Sequence, residues 1–157
     1  GALTVTGNLS GAESSKTFTL GGTSTAVNTF SGAITTLGGT GGAISVVKDG
    51  PGTWRLSGAN TYAGGLTVRQ GTLQVAAGDN FGGSSSSAAN LLIGGTGSGV
   101  TGTAALLVGQ SGSIGKAFTV APLSGANQRV FLGTYDTSGT RGRPGSRRPG
   151  TAARIPT

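Results

Sequence analysis

The chain has 157 residues, of which 33 are Gly and only 10% are charged. Gly-X-Y periodicity does not run through it, and its apolar content is too high for its charge to suggest disorder, so collagen-like and charge-rich disordered classes drop out. There is no Cys, Met or His, which removes disulfides, thiol nucleophiles, zinc–thiolate sites, His metal ligands and an imidazole base. The net charge of +7 is uneven: in 1–140, Lys16, Lys48, Arg55, Arg69, Lys116 and Arg129 face Glu13, Asp49, Asp79 and Asp136, whereas 141–157 carry Arg141, Arg143, Arg147, Arg148 and Arg154 with no acid.

The first 30 residues lack a basic stretch followed by an apolar one, and no apolar run approaches the roughly 20 residues that span a bilayer. A signal peptide or membrane anchor is therefore expected outside this chain. In chain order, strands are predicted at 3–6, 17–20, 43–47, 53–56, 66–69, 72–75, 91–93, 105–108, 117–120 and 129–132. Each is short and rich in β-branched, aliphatic or aromatic residues, and Gly-containing turns separate them. Nowhere do apolar residues recur at 3.6-residue spacing over three turns, so the chain reads as all-β.

Repetition narrows the architecture. KTFTL at 16–20 returns as KAFTV at 116–120, FSGA at 30–33 is echoed by LSGA at 56–59 and 123–126, and LIGGTGS at 92–98 returns as LVGQSGS at 107–113. Short strands with imperfect repeats fit a solenoid in which each coil touches only its neighbours. The segment 48–75 carries the clearest coil. Asp49, Gly50, Pro51 and Gly52 form a turn. Trp54 and Leu56 share a strand face, and Asn60, Thr61 and Tyr62 form a polar corner. Gly64 and Gly65 turn the chain again; Leu66 shares a face with Val68, and Leu73 with Val75. Trp54, Leu56, Val68, Leu73 and Val75 are expected to point inward, with Leu92 and Leu107 in similar rows.

The same segment, KDGPGTWRLSGANTYAGGLTVRQGTLQV, resembles the autotransporter-associated β-strand repeat, whose pattern runs K-x-G-x-G-T-[LW]-x-L-x-G-x-N-T-Y-x-G-x-T-x-V-x-x-G-x-L. It departs at Leu66, where Thr is usual, and at Arg69 and Gln70. The resemblance implies a right-handed parallel β-helix over 1–140, in the passenger region of a secreted bacterial surface protein. Such a passenger is held at the outer membrane by a barrel in another part of the same polypeptide. It implies no ligand.

Candidate chemistry is sparse. Glu13, Asp49, Asp79 and Asp136 are scattered, and they read as solvated turn residues unless stacking brings two within the ~5–9.5 Å that paired-carboxylate glycosidases use. The sequence GSGVTG at 97–102 satisfies G-x-G-x-x-G, but neither a following helix nor a suitably spaced acid accompanies it. Gly115 and Lys116 lack the rest of a P-loop. Phe30, Trp54, Tyr62 and Phe118 either form a stacking platform or, the preferred reading, fill the coil interior and cap its corners; alternation favours burial of Trp54 and Phe118 and leaves Tyr62 the best exposed candidate. Asn8, Leu9 and Ser10 match a glycosylation sequon.

The tail 141–157 is expected to stay outside the solenoid and be disordered. It reads as a shifted reading frame, a basic arm for anionic polymers or membrane, or a collagen-like remnant. No catalytic, cofactor-binding or metal-ligating residue is assigned, and no cofactor or small-molecule substrate is expected. Nucleic acid would be met only nonspecifically, through the tail. The first expectation is a non-enzymatic structural and display segment. An adhesin-type face for a host or polysaccharide ligand is the second, and a carbohydrate-active β-helix the third.

Overall fold

A computed structural model describes residues 1–11, 14–36, 42–76, 81–82, 91–95, 102–109, 114, 117–121 and 128–135. Among these the chain is built of short parallel strands in three columns. The first contains β1 (Thr4–Val5), β4 (Val27–Phe30), β7 (Thr53–Leu56), β9 (Gly71–Val75), β11 (Ala104–Gly109) and β13 (Val130–Tyr135), stacked in that order. The second stacks β3 (Lys16–Leu20), β6 (Ile44–Lys48), β8 (Leu66–Val68), β10 (Leu91–Ile93) and β12 (Phe118–Val120). The third pairs β2 (Leu9–Gly11) with β5 (Ile34–Thr36), and a bridge from Thr35 to Thr61 extends it by a coil. The chain visits the columns in rotation, and every pairing is parallel. This is a parallel β-solenoid.

Register explains the core. Because side chains alternate along a strand, parallel pairing stacks like positions into rows that run up the solenoid. Asn28, Trp54, Leu73, Leu106 and Leu132 form one inward row, and Phe30, Leu56, Val75 and Val108 the next. In the second column the rows are Phe18, Val46, Leu66, Leu91, Phe118 and Leu20, Lys48, Val68, Ile93, Val120. Leu56, Val68, Leu73, Val75 and Ile93 are wholly buried, and Trp54 nearly so. Each large aliphatic side chain so buried stabilises the fold by about 1.5–3 kcal/mol.

Two expected core positions are corrected. Leu92 and Leu107 are only half-buried, whereas their neighbours Ile93, Leu106 and Val108 are buried. Leu92 pairs with the outward Thr67, and Leu107 with the outward Gln74. The repeat linking 92–98 to 107–113 joins strands of different columns, so it marks successive faces of the solenoid and not successive coils. Three strands escape the sequence pattern: β2, β4 and β5. In β4, Asn28 is buried within the strand, where its Oδ1 accepts from Leu3 N at 2.9 Å and its Nδ2 donates to Thr53 O at 3.3 Å.

Close stacking dictates Gly at one corner. A Cβ on Gly58 would lie 2.0 Å from the Gly32 carbonyl oxygen, and one on Gly32 would lie 2.1 Å from that of Gly7. The echoes at 30–33 and 56–59 therefore meet one physical requirement in successive coils: backbone on backbone, with no room for a side chain; the echo at 123–126 lies outside the described residues.

Candidate functional site

The densest polar arrangement lies where β6 turns into β7. Lys48 ends β6 on an inward row, and its side chain is wholly buried. The next residues, Asp49, Gly50, Pro51 and Gly52, curl back so that main-chain carbonyls surround the ammonium. Lys48 Nζ donates to the carbonyls of Gly50 at 2.6 Å, Gln70 at 3.1 Å and Asp49 at 3.4 Å. Gln70 belongs to the next coil, so the lysine joins two turns. Gly50 and Gly71 have φ of 84° and 75°, the left-handed region that Gly enters without Cβ strain. A Cβ on Gly71 would also sit 2.7 Å from Lys48 Nζ.

Neighbouring groups complete this corner. Asp49 Oδ1 accepts from Gly50 N at 2.8 Å, and Asp49 Oδ2 lies 3.5 Å from Arg69 Nη1. Gly52 N donates to Gly22 O at 2.9 Å, and Trp54 Nε1 to Gly21 O at 2.7 Å, tying the turn to the coil before. Desolvation pushes the Lys48 ammonium down to about 8, and the Asp49 carboxylate partly opposes that fall. A depressed lysine pKa can mark a nucleophile, but this amine is wholly buried and surrounded by carbonyls of its own chain. Its chemistry is a fastening between turns.

The aromatic candidates do not form a platform. Phe30 and Trp54 are buried, and Phe30 meets Phe18 edge-on with centroids 5.5 Å apart. Tyr62, the best candidate for exposure among them, is wholly buried, as the interior-filling reading has it. Its ring lies flat on Gly82, where an added Cβ would come 2.5 Å from the ring. Its hydroxyl finds no hydrogen-bond partner among the described residues, and burial holds its pKa above the usual tyrosine value. The polar corner that suggested exposure is formed by other groups: Asn60 Oδ1 accepts from Ile34 N at 2.9 Å, and Thr36 Oγ1 from Ala63 N at 3.0 Å. Phe118, expected to be buried, is 47% exposed. It continues an inward row, but among the described residues β12 is the edge strand of its column.

Of the acids, only Asp49 lies within the described residues; Glu13, Asp79 and Asp136 fall outside them, as do Lys116, most of 97–102, and the tail 141–157. Among the described residues no group of His, Cys, Asp or Glu could hold a metal ion. Strand β11 follows 97–102 and strand β12 follows Gly115 and Lys116, where phosphate-binding motifs would open a helix. Asn8, at the sequon, is exposed, and its Oδ1 accepts from Ala33 N at 2.9 Å.

Sequence reasoning missed one surface feature. Arg55 and Gln74 stack on the outer face of the first column. Arg55 Nε donates to Gln74 Oε1 at 2.9 Å, and the guanidinium lies 5.0 Å from the centre of the Tyr135 ring. Tyr135 comes from β13, beyond the strand predicted at 129–132, and no local pattern pairs it with Arg55.

A family model described as passenger-associated-transport-repeat matches residues 46–75, the stretch that contains the lysine corner, Trp54 and Tyr62. No curated protein and no solved structure matches the chain.

Proposed function

We propose that this chain, which carries an autotransporter passenger repeat at 46–75, is a structural and display segment of a secreted bacterial surface protein and has no catalytic turnover of its own. The observation that supports this reading is where the repeat spends its polar groups. Lys48, Asn60 and the Trp54 indole N–H all satisfy main-chain atoms of their own or neighbouring coils, and none is directed at a substrate. A rod whose buried polar side chains hold coil to coil suits a spacer. The repeat family implies secretion to the cell surface, where the rod would hold other parts of its polypeptide away from the membrane. The test places the chain between a secretion signal and an outer-membrane barrel. Protease added to intact cells should reach it; retention inside the outer membrane would contradict the proposal. Turnover of a polysaccharide that disappears in Asp49→Asn would contradict the non-catalytic part.

An adhesin-type binding face is the second reading, favoured by the Arg55, Gln74 and Tyr135 cluster on the outer surface. A guanidinium fixed over an aromatic ring offers charge and a flat apolar face together. Binding to an immobilised glycan panel that is lost in Arg55→Ala, with the thermal midpoint kept, would select this reading over the spacer.

A further inference from the structure

The outer face of the first column changes character along the stack. One outward row runs Thr29, Arg55, Gln74, Leu107, Gly133, and the row beside it Thr53, Thr72, Ala105, Phe131. Hydroxyls on the early coils give way to apolar groups on the later ones. Phe131 is 55% exposed, and its ring leans over Gly133: a Cβ there would meet Phe131 Cε1 at 2.8 Å and Leu107 Cδ2 at 3.3 Å. Glycine thus lets the phenyl ring lie along the sheet and join Leu107 in one apolar surface. These positions face sideways from the stack, so a further coil above β13 would lengthen the face without covering it.

Arg55 is held in the same row as this surface. Gln74 fixes its Nε, and the Tyr135 ring backs its guanidinium. Neither supplies a negative charge, and among the described residues no carboxylate meets its terminal N–H groups; the ion pair of that kind joins Arg69 to Asp49. A guanidinium fork matches a carboxylate through two parallel hydrogen bonds. Three strand spacings separate Arg55 from Gly133, roughly 14 Å along the stack.

We propose that this face binds an acidic polysaccharide, Arg55 holding a sugar carboxylate and Phe131 stacking on a pyranose ring further along the polymer. The proposal rests on the adhesin-type reading and names its ligand class. A sheet face offers side chains alone, because the main-chain groups are spent on neighbouring strands, whereas an extended peptide is bound through main-chain bonds at a sheet edge. Nucleic acid calls for several cations along its backbone, and Arg55 is the only cation within this column's strands among the described residues. A uronic-acid sugar answers each feature present: a flat C–H face for Phe131, hydroxyls for Gln74 and the threonines, and a carboxylate for the guanidinium.

The full chain is titrated calorimetrically with a short oligogalacturonate, with its methyl ester, and with an oligoglutamate of equal charge, which reports the attraction of any polyanion to the five Arg of 141–157. The oligogalacturonate should bind, and Arg55→Gln and Phe131→Ala should each weaken it roughly tenfold or more. Both variants should leave oligoglutamate binding unchanged. The methyl ester should bind the unaltered chain no better than the free acid binds Arg55→Gln. Absence of oligogalacturonate binding overturns the proposal, as do indifference to both substitutions and equal losses for oligoglutamate. An ester held as tightly as the acid, and lost in Arg55→Gln and Phe131→Ala, overturns the acidic class while the adhesin-type reading stands. Displacement of the oligogalacturonate by single-stranded DNA, abolished by both substitutions, would assign the face to nucleic acid and overturn it too. Should Arg55→Gln lose its β-sheet circular dichroism, Phe131→Ala, at an exposed position, decides in its place.

Discussion

Lys48 is the residue on which the repeat's corner turns. Three carbonyls of two turns meet its ammonium, yet burial still weakens its hold on a proton. Below about 8 the lysine is protonated in folded and unfolded chains alike. Between about 8 and the ordinary value of 10.5 the unfolded chain holds the proton more tightly, so stability from this residue rises as pH climbs through that window. Burial raises Tyr62 and Tyr135 above their ordinary 10.0; the unfolded chain loses those protons first, so stability falls again above that value. Urea midpoints measured from neutral pH upward should therefore increase above pH 8 and turn down beyond pH 10. In Lys48→Met the rise should be absent, and at neutral pH the variant should lose about 1–3 kcal/mol because buried carbonyls lose their donor. The Tyr62 hydroxyl presents the opposite case. With no partner among the described residues, it costs desolvation without return, so Tyr62→Phe should be neutral or gain about 1 kcal/mol. A clear loss in the denaturant midpoint would mean that the hydroxyl is bonded.

At the level of strands, register separates two kinds of leucine that composition cannot. Leu56→Ala and Leu73→Ala should each cost about 2–5 kcal/mol, whereas Leu92→Ala and Leu107→Ala, on outward positions, should cost distinctly less; equal losses in thermal midpoint would refute the register. Gly58→Ala should destabilise as strongly as a core truncation, because its Cβ would meet the Gly32 backbone at 2.0 Å and neither can yield. The sequence made the all-β class, the inward set in 48–75 and several strands legible, since alternation and turn residues are local signals. It missed β4 because Asn28 interrupts the apolar pattern, and only the strands on either side supply the partners that let an amide be buried there. It left Tyr62 the best candidate for exposure for a related reason: the polarity of Asn60 and Thr61 is local, but the carbonyls and amides that satisfy such a corner lie a coil away. Burial of Phe118 was misjudged as well: its position continues an inward row, but among the described residues no strand stacks beyond β12, and no local pattern encodes stacking order.

Across the whole molecule, stability passes between neighbouring coils and not across a common centre. Hydrogen exchange should accordingly be slowest in β7, β8 and β9, which lie two or more strands from either edge of their columns, and fastest in the edge strands β1, β3, β12 and β13, grading between them. Uniform protection from end to end would mean that the coils open as one unit. The columns also decide how the rod bears a load. Interstrand hydrogen bonds within a column run along the stack, so a pull on its two ends loads successive coils in series. Each coil is then asked to part from the next on its own, and extension should proceed as a train of separate ruptures. Tension along a strand would instead shear all the bonds of a pair together. A rod of this kind yields in small steps when stretched lengthwise and is stiffest when pulled across its coils.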